Sequence, residues 1–368
     1  APVAGVPKRR RGAGLASKQY ELDMREVSFI NSALSDQTDV SGAVALLCNT
    51  KPQKCFNGQM LGHSAFLLDE TQRSAIVKND ARSVEVLHPY LNGVDALTGA
   101  ALDRYVLDFE SRDQFEAAAY TGAFAWVRDH VLHDRERKAQ IGKDADGNMR
   151  AHHKGFLARW WQLSFGRPEM LSVIKPLPRY LACSYVTKRP IFVFVSSEVR
   201  PSNLIQVFAF ADDYSFGILQ SSAHWLWFVT KCGKMTARFR YSAESVFDTF
   251  PWPQTPSTAQ VESVAEAARE VRRIRDKALA SMTGGLRALY RVMELPGKNP
   301  LKDAQAALDA AVLAAYGFSA RKDVLQQLLD LNRQVASAIL NATPVTAPGI
   351  PASYKNPANL LTTDCLGI

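Results

Sequence analysis

The chain has 368 residues, 47% apolar, 10% aromatic and 22% charged, ordinary proportions for a globular protein with length for two or three domains. No apolar run approaches the 18 or more residues needed to cross a bilayer, and the opening APVAGVPKRRRGAG has no apolar stretch behind its basic tetrad, so it is not expected to act as a secretory signal. The net charge of +8 is local: residues 151–240 hold twelve Lys and Arg against four Asp and Glu, the rest is balanced, and such a field suggests a polyanionic partner.

In chain order, residues 1–40 read as a linker that enters structure near REVSFINSAL, with Lys8 to Arg11 as a solvated arm or a phosphate contact. The absence of an initial methionine fits a processed chain or a piece of a longer one. Residues 41–110 alternate short apolar runs with turn signals such as Asn57-Gly58 and Asn92-Gly93, the pattern of short strands. SRDQFEAAAYTGAFAWVRDHVLHDRERKAQIG has helical spacing at Phe115, Ala119, Ala123, Trp126 and Val127, and KDADGNMRAHH then reads as an exposed loop. RPIFVFVSS fits a strand buried on both faces, and LIQVFAF and YSFGIL read as further strands. SSAHWLWFVTKCG has a serine start and a glycine stop, the marks of a short helix.

The three prolines of FPWPQTP set a boundary at 250–256. Beyond it, TAQVESVAEAAREVRRIRDKALA is amphipathic, with Val261, Val264, Ala268, Val271 and Ile274 on one stripe. Two further helical segments carry the pattern to residue 341, and a proline-rich tail from 342 is expected to be ordered by docking. The whole reads as α+β: a mixed α/β domain over 41–256, a small helical domain over 257–341 and an irregular tail over 342–368.

Reaction centres are scarce in the pattern. DADGN opens like a calcium loop, but its twelfth position is Gly155 where a bidentate glutamate belongs. His152 and His153 are neighbours that diverge, an exposed pair more than a metal site. Asp108 and Glu110 share a strand-like face and could hold magnesium in a nuclease, but no nearby lysine completes such a site, so a solvated acidic edge is expected. No glycine-rich phosphate loop, dinucleotide fingerprint or nucleophile elbow occurs. Five scattered cysteines without a Cys-x-x-Cys pair argue against a disulfide framework and for a reducing cytoplasm.

What remains is a binding apparatus of cations interleaved with aromatics, including Arg159-Trp160-Trp161, Lys188-Arg189 and Arg238-Phe239-Arg240-Tyr241. In KMTARFRYS, an extended backbone puts Arg238 and Arg240 on one face, about 6–7 Å apart, with Phe239 on the other. Such a pair can reach neighbouring guanine edges; it can equally be a solvated strand face. Trp160, Trp161, Trp225 and Trp227 are expected in core. Arg272, Arg273 and Arg275 are expected on an exposed charged face, within reach of phosphates.

RPIFVFVSSEVRPSN, DDYSFGILQSSAHWLWF, KMTARFRYSAESVFDTFPWPQ and NPLKDAQAALDAAVLAAYGF, in that order, resemble the MmeI-like DNA methyltransferases, single-chain restriction–modification enzymes of the type IIL/IIG kind. The likeness spans roughly residues 40–341, and VSFINSALSDQTDV resembles the junction leaving the methyltransferase domain. It implies a target-recognition domain followed by the family's helical C-terminal domain. The glycine-rich S-adenosylmethionine loop and the Asn-Pro-Pro-aromatic motif are unmatched, so that cofactor is expected in an upstream methyltransferase domain or subunit and methylation by this chain alone is not expected. Carried over by position, Thr236, Arg238 and Arg240 would read bases of double-stranded DNA in the major groove, with Arg200, Ser202, Asn203 and Leu204 as a second specificity position. Lys188, Arg189, Lys231 and Lys234 would meet the DNA backbone. The alternative class is a freestanding nucleic-acid-binding or scaffold protein without catalysis; a third, an autonomous nuclease, requires Asp108 and Glu110.

Overall fold

The computed structural model describes residues 38–98, 102–141, 151–232, 234–235 and 238–366. The linker over 1–40, as far as residue 37, the DADGN turn and Thr236 therefore lie outside the described residues.

A four-stranded antiparallel sheet forms the centre, in the order Cys55–Asn57, Ile205–Phe208, Arg179–Ser184, Val193–Ser196. Every residue of Arg179–Ser184 is buried, because both faces of the sheet are covered. Leu181, Cys183, Phe194 and Phe208 join one apolar cluster; Tyr180, Ala182, Val195 and Val207 join another with Met170, Leu171 and Ile174. That division is the period-two alternation of a strand, with each face covered by helices. A second sheet, Leu67–Asp69, Arg104–Leu107, Leu87–Leu91 and Arg200–Pro201, has its own core of Phe66, Leu68, Val106 and Phe109, closed by Trp160 and Trp161. A third, small sheet pairs Lys234–Met235, Arg238–Arg240 and Val186–Thr187.

RPIFVFVSS and LIQVFAF supply strands, but YSFGIL is a helix, Asp213–Gln220. Asp212 caps it, accepting from the Ser215 amide at 2.7 Å and the Ser215 hydroxyl at 2.8 Å. All eight residues of this helix are buried, so no polar face marks the helical period in the sequence. Gly217 allows its close packing on the long helix Thr258–Leu279, since a Cβ there would stand 2.6 Å from Val264 Cγ1. The core runs on across residue 257 without a break, from Phe208 and Phe247 to Val264, Leu308 and Leu328. The mixed and helical regions are thus parts of one compact unit, 40–368. His152 and His153, expected in a loop, lie on the helix Ala151–Ala158.

One buried carboxylate joins the layers. Asp213, fully buried, accepts from Arg179 Nη2 at 3.1 Å, Arg272 Nη2 at 2.7 Å, Arg269 Nε at 2.6 Å and the Thr362 hydroxyl at 3.0 Å. Arg179 and Arg272 also reach Asp364, at 3.1 and 2.8 Å, and both guanidinium groups lie over the Phe194 ring. Burial raises the Asp364 carboxyl, but the Thr362 hydrogen bond and the two arginines hold it below its ordinary value. Arg272 and Arg275, expected at the surface, are therefore interior; only Arg273 is exposed, paired with Glu270 at 2.6 Å. Strand 193–196 also takes up the tail, through Ser196 N to Leu366 O and Leu366 N to Phe194 O, each 2.9 Å.

Asp213→Asn leaves three guanidinium groups without their shared carboxylate, and it should cost about 3–5 kcal/mol of unfolding free energy in urea titrations. Asp364→Asn, at a side chain 43% exposed, should cost clearly less.

His224 is fully buried; its Nδ1 donates to Leu219 O at 2.7 Å and its Nε2 accepts from the Tyr241 hydroxyl at 2.9 Å. Burial drives its pKa down to about 3, so the ring stays neutral when folded while the unfolded ring binds a proton near pH 6.5. This stability is complete above pH 6.5 and is lost as pH falls towards 3. Across that window the wild type should lose about 1.4 kcal/mol per pH unit more than His224→Gln, measured by denaturation at stepped pH.

Candidate nucleic-acid interface

The hairpin Lys234–Met235 and Arg238–Arg240 has the register Lys234↔Phe239 and Met235↔Arg238, and its second strand, the middle one of the small sheet, pairs Arg240 with Val186. Phe239 packs edge-on against Phe228 at 5.7 Å, and Phe228 stacks on the buried Tyr241. This aromatic anchor joins the hairpin to the main core. Arg240, on the opposite side of the strand, is exposed, hydrogen-bonds the Tyr185 hydroxyl and lies 4.9 Å over the Tyr185 ring. Arg238 begins the same strand, two positions before Arg240.

Tyr185 connects the hairpin to the loop 202–204. Its amide donates to Leu204 O at 2.8 Å, and its carbonyl accepts from the Tyr241 amide at 2.9 Å. Leu204 is 52% exposed, Asn203 is half-buried, and the Asn203 carbonyl accepts from Asn57 Nδ2 at 3.0 Å. Ser202 is buried and bridges Gln59. The neighbouring Gly58 is required by close approach, because a Cβ there would stand 2.1 Å from Ser202 O. The sequence marked Asn57-Gly58 as a turn signal, but nothing in it pointed to Tyr185 or to the meeting of 57–59 with 202–204.

The remaining candidates divide between surface and interior. Lys188 is exposed. Arg189 is half-buried with its guanidinium over Trp225 at 4.8 Å and Tyr290 at 5.4 Å. Lys231 donates to the carbonyls of Val40 and Ala43 at 3.3 and 3.5 Å, and Lys234 sits in the hairpin backbone. Arg200 has no free face for a base: it is 3% exposed, bonding Ser197 O at 3.3 Å and Glu110 at 3.1 Å. It positions the loop from behind.

Asp108 and Glu110 do not form a solvated acidic edge. Asp108 is buried, accepting from Gln59 at 2.7 Å, and burial raises its pKa. Lys175, remote in sequence, meets Glu110 at 2.7 Å beside Arg200, and together they hold that carboxyl below its ordinary value against the opposing effect of burial. A carboxylate neutralised by two cations is a poor magnesium ligand. Among the described residues no three His, Cys, Asp or Glu side chains cluster as a metal site, and no helix is long and apolar enough to cross a membrane.

Residues 180–254 match the family model of the MmeI target recognition domain. The matched segment contains Tyr185, the loop 202–204 and the whole hairpin. A 137-residue stretch, 36% of the chain, is 34% identical to DNA methyltransferase A of Bacillus subtilis (strain 168), covering 15% of that protein. The fold is similar to part of the type IIL restriction–modification enzyme MmeI, solved in complex with DNA: the superposition covers 84% of this chain and 39% of that one, with a TM-score of 0.64 and 21% identity. The chain thus spans well under half the length of these relatives.

Proposed function

We propose that this chain, whose residues 180–254 match an MmeI target recognition domain, reads a short double-stranded DNA sequence on behalf of an S-adenosylmethionine-dependent adenine-N6 methyltransferase. The observation that carries this reading is the placement of the matched segment. It holds a hairpin with arginines at 238 and 240, of which Arg240 is exposed, anchored by Phe239 and continuous through Tyr185 with a loop that exposes Leu204. The likeness to a DNA methyltransferase and to a restriction–modification enzyme solved on DNA supports the same direction.

In this function Thr236, Arg238 and Arg240 face base edges in the major groove, with Asn203 and Leu204 beside them. Arginine makes two parallel hydrogen bonds to guanine O6 and N7, worth about 1–3 kcal/mol of discrimination per contact. Lys188 and Lys234 meet phosphates, which fix register without reading sequence. Arg189 and Lys231 act inside the fold, on aromatic rings and backbone carbonyls. Residues 41–256 do the reading, 257–341 brace them, 342–368 strap the two together, and 1–40 lead from an upstream methyltransferase domain or subunit. The catalytic partner binds S-adenosylmethionine, which supplies the methyl group, and takes the adenine out of the stack. Free cysteines at all five positions suit the bacterial cytoplasm, where such an enzyme meets DNA.

Enrichment of a randomised duplex library on the full chain tests this function. A short motif should emerge, and Arg238→Ala should relax it at one base pair. Lys188→Ala should instead weaken all sequences alike and make the salt slope shallower by about one. Binding without any motif, or with a motif indifferent to Arg238, would overturn the assignment.

A further inference from the structure

Outside the matched segment, a second surface adjoins the loop 202–204. Met60 and Phe165 pair as an isolated antiparallel bridge, with both N–H to O distances 3.0 Å, yet their side chains are 40% and 45% exposed. Phe156 meets Phe165 edge-on at 6.1 Å, Arg167 lies over Phe165 at 5.5 Å and the exposed Arg159 over Phe156 at 5.6 Å. Gln59, which pairs with Ser202, also holds Gly166 O at 2.7 Å. Through that contact the corner is continuous with the loop 202–204, and through Tyr185 with Arg240.

Arg167 is held in a left-handed conformation, φ 56° and ψ 54°, where glycine is the comfortable residue. Its side chain does not cap the helix Pro168–Ile174 that it precedes. The one hydrogen bond of its side chain among the described residues is a long one, from Nε to Gly58 O at 3.5 Å. An arginine kept at a glycine position, with most of its donors uncommitted, indicates a use for the guanidinium beyond the fold. Arg159 adds positive charge over Phe156, and the exposed Glu169 follows two residues after Arg167.

We propose that the Met60–Phe165–Arg167 corner is a second contact with the same duplex, flanking the base pairs read by the hairpin. Phe165 and Met60 lie against sugar faces at the edge of the minor groove, and Arg167 and Arg159 take phosphates. Exposed phenylalanine and methionine beside arginine are the side-chain types that enter a minor groove, and the charge complements DNA. This contact rests on the DNA-reading function.

Arg167→Gly and Phe165→Ala in the full chain test it, with hydroxyl-radical footprinting and salt-dependent titration on the duplex enriched by the wild type. Arg167→Gly should melt no lower than wild type, because glycine suits that backbone. It should nevertheless bind about tenfold more weakly, as expected for a lost charge-assisted hydrogen bond, with a salt slope shallower by about 0.9. Phe165→Ala should lose protection on one flank while the enriched motif is retained. Wild-type affinity, salt slope and footprint in both variants would remove this contact and leave the reading function standing. Failure of the wild type to enrich any duplex would remove both.

Discussion

The shared hydrogen bonding of Asp213 is the constraint on which the other layers depend. Three guanidinium groups converge on one buried carboxylate, two of them continue to Asp364, and Phe194 lies beneath. Arginine does not escape burial by losing its proton at ordinary pH, so the arrangement stands only when every element arrives in register. A strand of the central sheet, the first turn of Asp213–Gln220, the long helix Thr258–Leu279 and the C-terminal segment all contribute a group. Their relative positions are thereby set together. The aromatic cluster continues from this framework through Phe208, Tyr241 and Phe228 to Phe239, which seats the hairpin on the same core.

The basic block of residues 151–240 is consequently a smaller external field than its composition implies. Arg179 and Arg200 are interior, Arg189 lies on rings, and Lys231 and Lys175 are tied to carbonyls and to Glu110. Lys154, Arg159, Lys175, Lys188 and Arg240 are the exposed cations of that block whose side chains are described, and of these Lys175 is already paired with Glu110. The same residue type serves two opposite purposes here. Inside it fixes geometry, and outside it is available to an anion.

Local patterning carried much of the architecture. The strands at 193–196 and 205–208 and the helices at 258–279, 300–316 and 324–340 follow from β-branched runs, caps and amphipathic stripes. YSFGIL failed because a helix buried all round has no polar period to betray it. The extended run at 238–240 and the anchoring role of Phe239 could be seen in nine residues. The burial of Arg200 could not, since it is decided by Glu110, ninety positions away, and by the parallel pairing of 200–201 with 90–91. Arg272 and Arg275 misled for a similar reason: their positions on the helix were legible, while the carboxylate and ring that receive them were not. Tyr185, which joins hairpin to loop, carries no motif at all.

Amide hydrogen exchange of the full chain, free and with its enriched duplex, is the most direct test of where DNA is met. Protection should concentrate at 185–189, 202–204 and 234–240, with 258–341 unchanged. Protection confined to 258–341, with the hairpin exchanging as in the free chain, would contradict the placement of sequence reading on Arg238 and Arg240.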